Sequence, residues 1–168
     1  VKEFGFTRGA FADALRDVLY ALDPNVQDPL DDGLADSLAH LVDAIGWDKA
    51  KTQYDDVRRL LQRLGTEAGR EIIDENLWVG MGEDKIERAG GPVVCTDCRF
   101  PNEIALIRRR KGLLIWVERE GVGAVNAHAS EHSVTKADCD MVLTNNGTIE
   151  DLYQSLSEAF GSVSVSPS

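Results

Sequence analysis

The sequence has few cysteines, no long apolar run and a shortage of positive charge, and each of these absences excludes a class of protein. Three cysteines (Cys95, Cys98 and Cys139) are too few for a disulfide framework and fit a reducing compartment. No apolar stretch approaches the ~20 residues that cross a membrane, and no signal peptide is visible. With 18 basic against 29 acidic residues, the net charge of −11 argues against a protein that reads the nucleic-acid backbone. We therefore expect a cytoplasmic protein with no membrane or nucleic-acid partner.

What the sequence does contain is a regular alternation of short apolar runs and amphipathic stretches, in 168 residues of which 43% are hydrophobic. Strands are predicted at Phe6–Phe11, Val93–Thr96, Leu113–Val117 and Met141–Leu143. Helical spacing is found over Leu15–Leu22, Leu34–Ile45, Val57–Leu64, Asn102–Lys111 and Ile149–Phe160, with an acidic loop at Pro24–Asp32. This alternation predicts one α/β domain over residues 1–168, with a mainly parallel sheet flanked by helices and a frayed tail at Gly161–Ser168.

The most informative stretch is Pro92–Glu103, where a short apolar strand ends in an acid and a base. Asp97 and Arg99 follow the strand directly, and a proline and a new helical pattern come next. In open α/β sheets, ligands bind outside the carboxyl ends of the strands. Asp97 could hold Mg²⁺ and Arg99 could bind a phosphate through paired hydrogen bonds. A surface ion pair at the strand end is the alternative interpretation.

A second candidate is the arginine-rich stretch from Arg58 to Arg70. Its leucines form a buried stripe, and four polar residues could share an adjacent helical face: Arg59, Gln62, Arg63 and Arg70. Clustered arginines in an acidic chain concentrate positive potential where an anion would dock. The alternative is a solvated helix face with charge pairs four residues apart.

Two further groups lie near the C-terminal end of the chain. His128 and His132 are four residues apart and, with the Cys95-Thr-Asp-Cys98 run, superficially resemble zinc ligands, but the second pair of a zinc motif is missing. A substrate-facing or capping role for Ser130 and Glu131 is the preferred interpretation. The run Thr144–Thr148 contains an Asn-Gly turn, and Thr148 can cap the last helix. Its backbone could also face a purine ring.

Taken in order, these motifs resemble those of the bacteriophage-type deoxynucleoside monophosphate kinases, a family of P-loop phosphotransferases. The resemblance covers nearly the whole chain, and its specificity lies in the ordered set. The matching parts are Phe11–Asp13, Leu61–Glu67 with Gly69-Arg70, Trp78, Thr96–Glu103, His128–Glu131 and Asn145–Thr148. The resemblance implies a P-loop-kinase-like three-layer sandwich.

The resemblance also implies an activity, the transfer of the ATP γ-phosphate to a deoxynucleoside 5′-monophosphate with Mg²⁺. On this basis Asp97 would organise the metal or the acceptor phosphate, and Arg99 would act with it at the catalytic centre. The substrate-binding residues would be Arg59, Gln62, Arg63, Arg70, Trp78, His128 and Glu131. Asn145 and Gly147 would lie near the ATP adenine. A homodimer is left open, and the location would be the host cytoplasm if the protein is phage-encoded.

One departure from the family is serious. The family begins with a strand and a G-x-x-x-x-G-K loop whose amides and lysine cradle the ATP phosphates, and this sequence contains no such loop. We expect that the 168 residues belong to a longer kinase and that alone they have negligible kinase activity. The rival hypotheses are a non-catalytic nucleotide-binding or protein-interaction module on a kinase-like scaffold, and a zinc-dependent nucleotide deaminase.

Overall fold

A computed structural model describes residues 5–28, 31–122 and 134–162, which fall into two compact units. The first unit ends at Cys98 and the second begins at Arg99. Both units mix helices with short strands, as the sequence predicts for an α/β protein. In the described part of the chain, no helix combines the length and the apolar character that crossing a membrane requires.

The first unit contains most of the helices and two pairs of strands. In chain order its elements are β1 (Thr7–Gly9), α1 (Phe11–Leu22), β2 (Asn25–Asp28), β3 (Asp31–Ser37), α2 (Leu38–Ile45), α3 (Trp47–Gln53), α4 (Asp55–Gln62), a π-helix (Arg63–Ile73), α5 (Leu77–Ala89) and β4 (Val93–Cys95). Strands β1 and β4 are parallel, with Thr7 opposite Val93 and Gly9 opposite Cys95. The predicted strand at Phe6–Phe11 is therefore shorter, because Phe11 already begins α1.

The core of this unit lies where α1, the β2–β3 hairpin and the three following helices meet. Its buried side chains are Leu19, Val26, Leu38, Leu41, Ala50 and Val57. Helix α1 confirms the periodicity of Leu15–Leu22, and it ends at Asp23 in the left-handed conformation with φ 43°. The α1 helix thus presents one face to this core and leaves its N-terminus near the end of β4.

Two predictions in this region are wrong. The acidic loop predicted over Pro24–Asp32 is wrong for its described residues from Asn25 onward, because Asn25–Asp28 belongs to β2 and Asp31-Asp32 to β3, which pair as antiparallel strands and bury Val26 completely. The helical stripe predicted from Leu34 begins instead at Leu38, where the Ser37 side chain accepts a hydrogen bond from the His40 N–H and caps α2. The residues before this cap belong to β3, so α2 begins four residues later than predicted.

The second unit is built around one parallel pair of strands. Its elements are α6 (Pro101–Arg109), β5 (Ile115–Glu118), a short 3₁₀ turn (Lys136–Asp138), β6 (Met141–Thr144) and α7 (Ile149–Ser162). The register pairs Ile115 with Met141 and Glu118 with Thr144. The predicted strand at Leu113–Val117 starts two residues later, because the backbone around Leu114 bonds to Asp140 instead.

The predicted helices of the second unit are both found, with small changes at their ends. Helix α6 stops before Gly112, where a Cβ would lie 2.7 Å from the Ile107 side chain. Helix α7 runs on to Ser162, so the first two residues of the predicted frayed tail are helical. Residues 163–168 lie outside the described residues. The parallel pairs agree with the expected mainly parallel arrangement, whereas the three-layer sandwich and the single domain stay predictions.

Candidate functional site

Asp97 is bonded to the N-terminus of α1. Its Oδ1 accepts a hydrogen bond from the Phe11 backbone N–H at 2.9 Å, and its Oδ2 accepts one from the Ala12 N–H at 2.8 Å. These amides belong to the first helical turn, whose N–H groups have no acceptors within the helix. A carboxylate at this position also interacts favourably with the helix dipole. Asp97 therefore joins the end of β4 to the start of α1.

Arg99 opens the second unit, and its backbone is fixed by a buried acid. The Glu103 side chain is only 2% exposed, and its Oε2 accepts hydrogen bonds from the N–H groups of Arg99 at 2.7 Å and of Phe100 at 3.1 Å. The Arg99 side chain is exposed. Glu103 was not among the predicted site residues, although Pro101 at the first helical position with glutamate two residues later is a recognisable helix-start signal.

Three of the four polar residues predicted on one face do share it. Arg59, Gln62 and Arg63 are exposed and spaced three and four residues apart at the end of α4. Arg59 pairs with Asp56 at 2.7 Å, and Arg63 pairs with Glu67 at 3.4 Å. Both arginines keep 67% of their side chains exposed, so these pairs contribute little to stability and can exchange for another anion.

Arg70 leaves this face because the chain changes from α-helix to π-helix. Seven residues make almost two turns of an α-helix, which would place Arg70 beside Arg63. In a π-helix each bond spans five residues and a turn takes about four and a half residues, so seven residues make about one and a half turns. Arg70 accordingly lies on another side, half-buried, with its guanidinium donating to the Glu75 carbonyl at 3.3 Å. The prediction of one face for all four residues is wrong at this position.

Trp78 lies beneath the π-helix. The side chain is 4% exposed, and its indole N–H donates to the Gly65 carbonyl at 2.8 Å. Gly69 is so close that a Cβ there would lie 2.6 Å from the ring. Gly65 also lies against Leu15 of α1. A Cβ added at Gly65 would be 3.1 Å from the nearest methyl group of Leu15. The π-helix is thus packed between α1 and the ring of Trp78.

In the second unit, the loop Thr144–Thr148, which was predicted to lie near the adenine, is held by hydrogen bonds to Glu118 and Asp151. The Asn145 N–H donates to the Glu118 carbonyl at 2.7 Å, and Gly147 is exposed in the turn that follows. Thr148 and Asp151 cap α7 reciprocally: the Thr148 N–H donates to the aspartate at 2.8 Å, and its hydroxyl accepts from the Asp151 N–H at 3.2 Å. The Thr148 hydrogen bonds lower the pKa of Asp151, the one from its backbone most strongly. The predicted cap is confirmed.

The remaining predicted residues cannot be placed. His128, Ser130, Glu131 and His132 lie outside the described residues, so the histidine half of the zinc hypothesis and the role expected for Ser130 and Glu131 stay predictions. Within residues 5–28, 31–122 and 134–162, no three His, Cys, Asp or Glu side chains come together as a metal site. Mg²⁺ is usually bound by one or two carboxylates together with substrate phosphates and water. Asp97 fits such a site, because each of its oxygens has a lone pair left after bonding to α1.

The comparisons with known proteins point to the family that the sequence motifs resemble. A family model described as deoxynucleotide monophosphate kinase matches residues 32–156. A deoxynucleotide monophosphate kinase of Escherichia phage RB69 is 31% identical over 104 residues, which make up 60% of this chain and 43% of the phage protein. A putative deoxynucleotide monophosphate kinase of Acanthamoeba polyphaga mimivirus is 30% identical over 113 residues, covering 59% and 58%. A deoxynucleoside-5′-monophosphate kinase of Escherichia phage T5 is 42% identical over 57 residues, covering 33% and 23%.

The family match extends over more than half of the chain and includes every predicted site residue, from Arg59 to Gly147. The chain belongs to the deoxynucleotide monophosphate kinase family. It spans about half the length of the first two relatives, 43% and 58%.

Proposed function

We propose that this protein is a phosphotransferase that moves the ATP γ-phosphate to a deoxynucleoside 5′-monophosphate and yields the diphosphate. The observation that carries the proposal is the family match over residues 32–156, a range that contains Asp97, Arg99 and the arginine-bearing helices. The names of the relatives supply the class of acceptor. The proposal for the cofactors, ATP and Mg²⁺, rests on the same resemblance.

The chemistry suits the residue types. Phosphoryl transfer depends mainly on positioning and on neutralising charge, so it needs cations and fixed dipoles more than a protein nucleophile. The exposed guanidinium of Arg63 could exchange its single contact with the Glu67 carboxylate for a phosphate, which a guanidinium can bind through two parallel hydrogen bonds. Arg70 would contribute a second guanidinium from the adjoining side of the π-helix. Gln62, exposed beside Arg63, could present its amide to a base edge.

The metal would supply charge neutralisation on the transferred phosphate when it is bound. Asp97 is the residue that would hold it, directly or through water, while its bonds to Phe11 and Ala12 keep the carboxylate in place. Arg99 follows two residues later, and Glu103 fixes its backbone. We propose that Asp97 and Arg99 form the catalytic part of the site and that Asn145 and Gly147 face the adenine of ATP.

The acceptor half of this proposal can be tested on the 168-residue chain itself. Calorimetric titration with dAMP, dGMP, dCMP and dTMP should give saturable binding of one or two of them. Arg63→Glu should weaken that binding at least tenfold, because it replaces a phosphate-binding cation with an anion. Arg88→Glu is the matched control: Arg88 is also exposed and pairs with an acid four residues away, Asp84 at 3.8 Å.

The outcomes separate the competing functions. Binding that Arg63→Glu weakens and Arg88→Glu leaves alone supports the kinase proposal and identifies the preferred base. A chain that is folded by circular dichroism but binds none of the four monophosphates contradicts it. That result would favour a protein-interaction module on the same scaffold.

A further inference from the structure

The Cys95-Thr-Asp-Cys98 run places two thiols on either side of the Thr96-Asp97 pair. Both cysteines are half-buried and neither is in a disulfide. Within the described ranges, no site of three metal-binding side chains includes them, so the zinc half-site that the run resembles has no support there. We propose that Cys95 and Cys98 form a reversible modification site, at which a hydroperoxide oxidises the two thiols to a disulfide and thereby withdraws Asp97 from α1.

The oxidation balances with one molecule of hydrogen peroxide. The Cys95 thiolate attacks one peroxide oxygen, the O–O bond breaks, and the released hydroxide takes up the thiol proton to leave as water. The sulfenic acid that results is attacked by the Cys98 thiolate, which forms the S–S bond and expels the hydroxyl group as a second water. Both electrons lost by the thiols reduce the peroxide. A small dithiol such as dithiothreitol reverses the step by thiol–disulfide exchange.

The first support is the access to Cys95. Its side chain lines a cavity between the β1–β4 pair and α5, and the space in it that is open to water-sized molecules is about 70 Å³. About 10–15 Å³ is enough for one water, so the cavity admits a peroxide. Gly9 lines the same cavity, and a Cβ there would lie 3.9 Å from the Cys95 Sγ. The thiol is therefore within reach of a small oxidant.

The second support is the spacing of the two cysteines. A pair separated by two residues is typical of thiols that alternate between the dithiol and the disulfide, and such pairs in reducing compartments act in catalysis or in redox sensing. Oxidation-sensitive cysteines commonly have a second, resolving cysteine beside them. Cys98 lies three residues beyond the end of β4. It can therefore approach Cys95 while the strand stays paired.

The third support is the position of Asp97 within the turn that the disulfide requires. A disulfide needs its two Cα atoms within about 4.4–6.8 Å of each other, so the segment must close into a tight turn with Thr96 and Asp97 at its centre. In the structure both are committed elsewhere. The Thr96 N–H donates to the Gly9 carbonyl at 3.2 Å, and the Asp97 carboxylate accepts from the two first-turn amides of α1 at 2.9 and 2.8 Å.

Closing the turn therefore competes with the bonds that hold α1. Hydrogen bonds weaken steeply as they lengthen and lose alignment, so a shift of the Asp97 backbone into the turn breaks both of its bonds to the helix. The reduced protein has Asp97 on α1, and the oxidised protein has lost this cap. The consequence for phosphoryl transfer rests on the proposed function, in which Asp97 belongs to the catalytic part of the site. The disulfide and the release of α1 do not rest on it.

The test treats the 168-residue chain with hydrogen peroxide and then with dithiothreitol. Peptide mass spectrometry locates any disulfide, and amide hydrogen exchange follows the first turn of α1, with the first turn of α7 as the internal reference. Cys98→Ser and Cys95→Ala each remove one thiol of the pair. Cys139→Ser is the matched control, because Cys139 is also half-buried but lies in the second unit. Burial raises the pKa of the Cys139 thiol, which lowers its reactivity.

Peroxide should produce the Cys95–Cys98 disulfide in the unaltered chain and in Cys139→Ser, and in neither Cys98→Ser nor Cys95→Ala. The first-turn amides of α1 should then exchange about tenfold faster, those of α7 should stay unchanged, and dithiothreitol should restore the slow exchange. A product that lacks this disulfide, or a disulfide that leaves the exchange of α1 unchanged, would overturn the proposal.

A parallel titration with dAMP, dGMP, dCMP and dTMP separates this proposal from the proposed function. If the reduced chain binds one of them, loss of that binding on oxidation and its recovery with dithiothreitol support the effect on the site, and equal binding by both forms overturns that effect. If the reduced chain binds none of them, the proposed function fails. The location of the disulfide and the exchange of α1 then still decide whether Cys95 and Cys98 are the modification site.

Discussion

Two glycines of the first unit should respond in opposite directions to the same substitution. Gly69 lies in the π-helix against Trp78, and Gly80 lies in α5. A Cβ at Gly69 would be 2.6 Å from the buried indole and 2.8 Å from the Leu64 carbonyl oxygen. A Cβ at Gly80 would meet no atom within 4 Å. Gly69→Ala and Gly80→Ala are therefore contrasted by the space that each site leaves for the new methyl group.

The expected magnitudes follow from this geometry. Replacing a helical glycine by alanine reduces the entropy lost on folding and stabilises the folded protein by about 0.5–1 kcal/mol. Gly80→Ala should show this whole stabilisation. Forcing a methyl group into a packed site costs about 1–3 kcal/mol. Gly69→Ala should lie in the upper part of this range, because the rigid Trp78 ring is 4% exposed and cannot rotate away. The net loss of stability is then about 1–2 kcal/mol, and the two variants should differ by about 2–3 kcal/mol.

Urea unfolding followed by circular dichroism measures both variants against the unaltered chain. Gly69→Ala should lower the midpoint and Gly80→Ala should raise it, with the slope unchanged in both. In thermal unfolding each kcal/mol corresponds to about 2–4 °C for a chain of this length. If Gly69→Ala is as stable as Gly80→Ala, the contact between the π-helix and Trp78 is not as close as described.

Two further predictions concern acidic side chains. Asp97→Ala should lower the free energy of unfolding by about 2 kcal/mol, since it removes the cap of α1 and a favourable charge at the helix N-terminus. Asp48→Ala, at a side chain that is 98% exposed, should stay within about 0.5 kcal/mol in the same urea titration; equal effects would refute the capping role. In the second unit, the hydrogen bond from Arg108, together with one from the Leu114 N–H, lowers the pKa of Asp140. A lowered pKa in the folded protein means that Asp140 stabilises above its ordinary pKa of 3.8 and that this contribution is lost as the pH falls through the folded value. Asp140→Asn should therefore flatten the acid limb of stability against pH, and an unchanged limb would contradict the assignment.

The elements that the sequence predicted well are the helices in which the apolar periodicity and the residues at the helix ends indicate the same bounds. Helix α1 has an apolar stripe and a turn signal at Asp23-Pro24, and α7 has Thr148 as its cap. The segment Pro24–Asp32 was wrongly predicted to be a loop because its proline and aspartates are typical of loops. Its pairing as a hairpin depends on residues from the following stretch, such as Ser37 opposite Asn25, and on burial of Val26. Neither is visible in a local pattern.

The candidate site divides in the same way. Residue types and order were sufficient to select Asp97 and the arginines, and Glu103 could have been found from the helix-start signal at Pro101. The partners of Asp97 could not have been predicted, because they lie 85 and 86 residues away in the chain. The contact of Gly69 with Trp78 also had no sequence signal. The change from α-helical to π-helical geometry at Arg63, which separates Arg70 from Arg63, had no sequence signal either.

The contacts of the first unit explain why motifs so far apart in the sequence occur together. Asp97 holds the first turn of α1, and Leu15, one turn further along the helix, lies against Gly65 of the π-helix. That helix carries Arg63 and Arg70. A displacement of α1 would therefore shift the arginine-bearing π-helix, even though the hydrogen bonds of Asp97 to Phe11 and Ala12 involve no side chain of that helix. For this reason, a loss of nucleotide binding in an Asp97 variant demonstrates a direct role for the carboxylate only where α1 is still folded, which the amide exchange of its first turn can establish.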